Sequence, residues 1–167
     1  MTEPRRIPVD LARNAAIDIL VARGVPAVDA GTVADALIAA DLRGIDTHGL
    51  ACLKDYVEAI EDGRIAAAPA FRVTRRFPWA ARIDADNGLG PLAAAEAMAM
   101  ATAAAESFGI GAAGVIRSNH FGAAGVYAAM AAERGCIGIV AANASAVAAP
   151  FGAAAPLLGT NPLAIAA

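Results

Sequence analysis

Gly109-Ile110-Gly111-Ala112-Ala113-Gly114-Val115-Ile116-Arg117-Ser118-Asn119-His120-Phe121-Gly122 is the stretch on which the fold turns. Its first six residues match the GxGxxG dinucleotide fingerprint letter for letter. In that fingerprint the glycines leave a strand and open a helix, so that a pyrophosphate meets free backbone amides. Here the order is reversed: a helical pattern precedes Gly109, and an apolar strand-like run, Gly111 to Ile116, follows it. Context therefore rejects the Rossmann arrangement. The strand hands its carboxyl end to Arg117-Ser118-Asn119-His120, ahead of a small-residue helix predicted over Ala123 to Arg134. Loops of this kind, from strand end to helix start, are where α/β proteins place ligands and reactive side chains.

Downstream, Gly135 ends that helix and Ile137 to Ala142 reads as another strand. The crossover length suits parallel pairing of the two strands. Upstream, the helix before Gly109 spans Pro91 to Ser107 and is mostly alanine and methionine, which permits close approach of a neighbour. Asp84-Ala85-Asp86-Asn87-Gly88-Leu89-Gly90 reads as a turn, preceded by strands over Phe71 to Phe77 and Trp79 to Asp84. The first third is helical. Leu11, Ala15 and Ile19 recur at spacing four, beside Ala16 and Leu20, between Pro8 and Arg23; Val33, Leu37, Ile38 and Leu42 mark a second helix. Leu50, Leu53, Val57 and Ile60 mark a third, with Asp46 and Thr47 as caps. The class expected is α/β: a helical unit over residues 1–68, then a mixed sheet with packed helices over residues 69–167.

Composition narrows the function. The net charge of −3 and pI near 5.3 give no electrostatic footprint for nucleic acid. Mean hydropathy is +0.54, but alanine is its main source. The charge-free stretch from Cys136 to Ala167 is broken by Gly138, Asn143, Pro150, Gly152, Pro156, Gly159, Asn161 and Pro162. A spanning helix needs about 20 continuous apolar residues, so no membrane partner is expected. Met1 to Arg6 has no apolar run behind it, and no signal peptide is expected. Cys52 and Cys136 have neither CxxC nor metal-ligand spacing; they read as small buried hydrophobes in a reducing cytoplasm, and no metal is expected.

The chain has two histidines. His120 lies beside Ser118 and Asn119, with Gly122 allowing close approach, and imidazole suits proton exchange near neutral pH. His48 stands in Arg43-Gly44-Ile45-Asp46-Thr47-His48-Gly49, where it is either a first-turn residue of its helix or part of a carboxylate site clamped by Arg43. Asp84, Asp86 and Asn87 lack the distal acid of a hard-metal loop and read as a solvated turn. Asn143-Ala144-Ser145, Pro150-Phe151-Gly152 and Gly159-Thr160-Asn161-Pro162 form polar loops after or between apolar runs, of the kind that hold a cofactor through amides.

Taken in order, RGIDTHGL, DADNGLG before an alanine-rich helix, GVIRSNHFGAAG, GCIGIVAAN, PFG and GTNPLAIA resemble the malate/L-lactate dehydrogenase family. The resemblance runs from about Ile7 to the end of the chain, and SNHFG and GTNP are its most specific parts. It implies a non-Rossmann α/β fold peculiar to the family, incomplete in this chain, and a typically homodimeric full-length enzyme. The implied activity is hydride transfer between a small 2-hydroxy or 2-oxo acid and NAD or NADP. His120 would be the general acid/base. His48 and Arg43 would bind the substrate carboxylate or orient the nicotinamide. Asn143, Ser145, Gly159, Thr160 and Asn161 would lie along the cofactor. Family members are about twice as long, which leaves two further expectations: an inactive fragment or half of a split protein, or a carboxylate-binding module without catalysis.

Overall fold

The structure, a computed structural model, describes residues 6–167; the first five, on which the signal-peptide reading rests, lie outside the described residues. The chain forms two compact units, Met1–Ala123 and Ala124–Ala167. The helical unit expected over residues 1–68 falls within the first of these. The first three helices and the larger sheet share one unit, joined by a parallel bridge between Ala66 and Gly88 and by packing of the second helix on the fourth.

In the first unit, α1 (Val9–Val21) and α2 (Ala27–Asp41) pack against each other and each begins after a proline, Pro8 or Pro26. Proline before the first turn sets φ for helix entry and gives up only an amide that has no partner there. The buried face of α1 is Ala16 and Leu20. The spacing-four stripe of Leu11, Ala15 and Ile19 points outward instead, with Leu11 62% exposed. Leu20, Val33, Leu37, Tyr56, Ile65 and Leu89 form the central cluster. Each fully buried aliphatic chain there contributes about 1.5–3 kcal/mol.

The third helix does not start at Asp46. Two 3-10 turns, Asp46–His48 and Leu50–Cys52, come first, and α3 covers Leu53–Glu61. Neither Asp46 nor Thr47 caps it. Asp41, at the end of α2, accepts a hydrogen bond from the Leu50 amide at 3.1 Å instead. A Cβ on Gly49 would overlap that carboxylate, so a larger residue there would push Asp41 off the Leu50 amide.

The larger sheet is mixed. β1 (Arg72–Phe77) pairs antiparallel with β2 (Ala80–Gly88), which pairs parallel with β3 (Ala112–Ser118). The parallel crossover is α4 (Gly90–Phe108), closed by Gly109 at φ 79°. Gly111 enters β3 where a Cβ would strike the Ala101 carbonyl, so the alanine-rich face of α4 lets the strand's first residues lie against helix backbone. The expected turn at Asp84–Asn87 is in fact the end of β2. Its register slips between Asp84 and Gly88, and Asp86 and Asn87 take positive φ values of 47° and 58°. Short polar side chains tolerate that left-handed conformation, which is why a turn-like sequence fits a bulged strand.

In the second unit, α5 (Ala124–Ala132) packs on β4 (Gly138–Ala141) and β5 (Leu163–Ala166), which pair antiparallel with each other. The expected parallel pairing across the helix of residues 123–134 is therefore not formed: β3 takes β2 as its parallel partner, and β4 takes β5. Glycine alone fits at position 138, where a Cβ would meet the Ala128 carbonyl of α5. Cys52 is buried as expected, while Cys136 is only partly so; both are free thiols. Among the described residues no helix is long and apolar enough to cross a membrane.

Candidate active site

His120 stands two residues beyond the end of β3, and its position is fixed from three sides. Arg117 takes a positive φ of 50° and turns its guanidinium back onto β2. Its Nε donates to Asp84 Oδ1 at 2.7 Å and its Nη2 to Asp86 Oδ1 at 2.9 Å. Asn119 donates its side-chain amide to the backbone carbonyls of Gly88 at 2.9 Å and Asn87 at 3.2 Å. Gly90, the first residue of α4, lies so close that a Cβ would overlap the carbonyls of Asn119 and His120. The residues read as a solvated turn are thus an anchor for the histidine loop. Both carboxyls are held below their ordinary range, Asp84 by hydrogen bonds from Arg117 and then the Asp86 amide, Asp86 by the Ala70 amide and then Arg117.

The two imidazoles meet. The rings of His48 and His120 are 5.6 Å apart, centre to centre. Gly122, at φ 73°, passes the His48 carbonyl where a Cβ would sit 3.3 Å away, so glycine allows the two loops to close on each other. Thr47 Oγ1 lies 2.9 Å from His48 Nδ1. Tyr56 of α3, almost fully buried, places its hydroxyl 3.0 Å from His120 Nδ1. Protein packed on one side of His120 lowers its pKa from the ordinary 6.5, and the neighbouring His48 lowers it further; Asp55 opposes both. A neutral ring at neutral pH, exposed on one edge, is equipped to take up a proton.

Arg43 is exposed and donates Nη1 to the Ala39 carbonyl at 3.0 Å, one turn back along α2. The structure therefore unites His48 and His120 but turns the Arg43 guanidinium toward its own helix end. The short 3-10 turn that carries His48 also offers no long helix N-terminus for a carboxylate. Tyr56 and Arg117 escaped the sequence reading. Tyr56 lies between the apolar positions Leu53 and Val57, where an aromatic reads as core, and nothing local announces that its hydroxyl reaches residue 120.

The remaining candidates belong to the second unit. Asn143, Ser145, Thr160 and Asn161 are exposed there, and Gly159 is partly buried. Asn161, at φ 40°, accepts a hydrogen bond from the Ala144 amide at 3.0 Å, and Gly159 presses on the Ala144 carbonyl where a Cβ would overlap. The Val147 and Ala148 amides both donate to the Leu158 carbonyl at 2.9 Å. The two polar loops are thus tied side by side, with uncharged amides and hydroxyls outward. That donor set fits the ribose hydroxyls and carboxamide of a nicotinamide nucleotide. Among the described residues no cluster of His, Cys, Asp and Glu could hold a metal.

The sequence profile of the malate/L-lactate dehydrogenase family matches residues 7–167, and the chain belongs to that family. It is 45% identical over 162 residues to a malate dehydrogenase of Pyrococcus abyssi, covering 97% of this chain and 45% of the relative. It is 38% identical over 144 residues to the NAD(+) ureidoglycolate dehydrogenase of Escherichia coli K12, covering 86% of this chain and 41% of that protein. The solved structure of malate dehydrogenase from Pyrococcus horikoshii OT3 superposes with a TM-score of 0.94 at 44% identity, over 98% of this chain and 47% of the other. The chain thus spans a little under half the length of these relatives, and its α/β fold is that of the part it matches.

Proposed function

We propose that the full-length protein is a dehydrogenase of small 2-hydroxy acids, with NAD or NADP as hydride acceptor. The observation that carries this is the His48–His120 pair, backed by Tyr56, in a chain of this family. When bound, the nicotinamide would supply the hydride chemistry. The protein's part is proton transfer and binding. His120 takes the proton of the substrate hydroxyl: the O–H bond breaks, an N–H bond forms, and the carbinol carbon becomes a carbonyl as its hydride leaves. In the reverse direction the imidazolium returns the proton to the carbonyl oxygen. Its lowered pKa suits the base role near neutrality.

His48 borders the same space and donates to substrate carboxylate or carboxamide, its ring set by Thr47. Arg43 joins it as a carboxylate clamp only if it gives up its Ala39 bond when ligand binds. Asn143, Ser145, Gly159, Thr160 and Asn161 form the cofactor-facing loops. The active form would be a cytoplasmic homodimer of the full-length chain.

A second reading has its own support. Ile137, Ile139, Leu163 and Ile165 on and beside β4 and β5 are each more than half exposed, Ile137 the most at 71%. Exposed apolar surface on a sheet calls for a covering segment, so the chain alone would be an inactive portion or half of a split protein. A module that binds carboxylates without turnover is the third possibility. Assay of the full-length protein with L-malate, L-lactate, sulfolactate and ureidoglycolate, following reduced-nicotinamide absorbance with each cofactor, separates them. Turnover of one or more supports the dehydrogenase. Ligand-dependent melting with no absorbance change would leave only the binding module.

A further inference from the structure

We propose that Tyr56 is a positioning residue that fixes the tautomer of His120, accepting a hydrogen bond from Nδ1–H and so reserving Nε2 for proton exchange. The inference rests on the acid/base reading of His120. The phenol oxygen is 3.0 Å from Nδ1, and Tyr56 is held by the central apolar cluster beside Leu20, Leu37 and Leu89. A tyrosine hydroxyl is both donor and acceptor, so two arrangements satisfy the distance. If the phenol donates to Nδ1, the neutral ring carries its proton on Nε2 and has no lone pair there to receive another. Protonation at the remaining nitrogen would then require breaking the Tyr56 bond in every cycle.

If Nδ1–H donates to the phenol, the bond survives both protonation states. The neutral ring offers the Nε2 lone pair to a hydroxyl proton, and the imidazolium keeps Nδ1–H on Tyr56 while Nε2–H serves a carbonyl. Histidines doing proton work commonly have one nitrogen committed to an orienting partner in this way. A carboxylate in that role would pull toward the charged ring. A neutral phenol orients without doing so, in keeping with a histidine that must lose its proton easily. The anchor is rigid because Tyr56 belongs to α3 and is 3% exposed.

The test is 15N NMR of histidine-labelled full-length protein, with the His120 signals assigned by their loss in His120→Gln. The expected wild-type pattern above the His120 pKa is a protonated Nδ1 and an unprotonated Nε2. In Tyr56→Phe, which keeps the buried ring, the tautomer ratio shifts toward Nε2–H and kcat falls about tenfold while KM changes less than twofold. A wild-type Nε2–H tautomer would overturn the inference without need of any variant. So would a Tyr56→Phe protein with normal melting and an unchanged tautomer ratio. If His120→Gln keeps full turnover, the acid/base reading fails instead, and the NMR result still decides whether Tyr56 sets the ring.

Discussion

Arg117 and Asp84 are joined by a 2.7 Å ion pair between the end of β3 and the bulged end of β2, and the His120 loop begins at that joint. The pair does more for position than for stability. Its arginine is half exposed, and exposed pairs contribute little to folding. Its value lies in holding a strained, positive-φ residue three positions before the His120 imidazole. Arg117→Met is expected to lower kcat several-fold while secondary structure is retained, measured by steady-state kinetics beside circular dichroism. Unchanged kcat would show that Asn119 and Gly90 suffice to hold the loop.

The same joint has a pH signature. Asp84 and Asp86 have folded pKa values below the unfolded 3.8, so the stabilisation they give is present above that value. It is lost as pH falls through their folded values. Thermal melts between pH 2 and 5 should therefore show a steeper loss of stability in the wild type than in Asp84→Asn, which has already lost one of these contributions. Parallel curves would remove the pair from the acid response.

Gly90→Ala places a methyl group against the backbone of Asn119 and His120. The obstacle is main chain and has to move as a loop. Over-packing of this kind costs about 1–3 kcal/mol. A lowered melting temperature together with at least a tenfold drop in kcat is expected from differential scanning fluorimetry and kinetics. A variant with wild-type values for both would mean the loop is looser than its contacts show.

His120 predicts its own pH dependence. Its folded pKa lies below the ordinary 6.5, so the unfolded chain binds a proton there that the folded chain refuses. Stability from this site is complete above 6.5, falls as pH drops toward the folded pKa, and then levels off. For oxidation, kcat/KM should rise with pH to a plateau, with a midpoint below 6.5 because the free base is the active form. A midpoint above that value would contradict the lowered pKa.

Much of the fold was legible because its signals are local. Prolines at 8 and 26, glycines at 109 and 135, and runs such as Val115-Ile116 mark where elements start, stop and cross the sheet. Pairing was not local. Nothing in Ile139 or Ile165 says that β4 and β5 pair with each other rather than β4 with β3. In α1 the sequence offers two neighbouring apolar rows, and which one packs is not a local matter: Ala16 and Leu20 are buried, whereas Leu11 is larger than Ala16, more apolar and exposed. The candidate site was read from its histidines, which the sequence makes conspicuous. Its supports were not, because Tyr56, Asp84 and Arg117 act on His120 from distant points in the chain.

The most direct test of the account is turnover by His120→Gln in the full-length protein, with cofactor binding measured on the same sample by fluorescence. Glutamine keeps hydrogen-bonding capacity but cannot take a proton. The account predicts cofactor affinity within about twofold of wild type and a loss of kcat for 2-hydroxy-acid oxidation of about a hundredfold or more. Near-normal turnover with intact cofactor binding would contradict it.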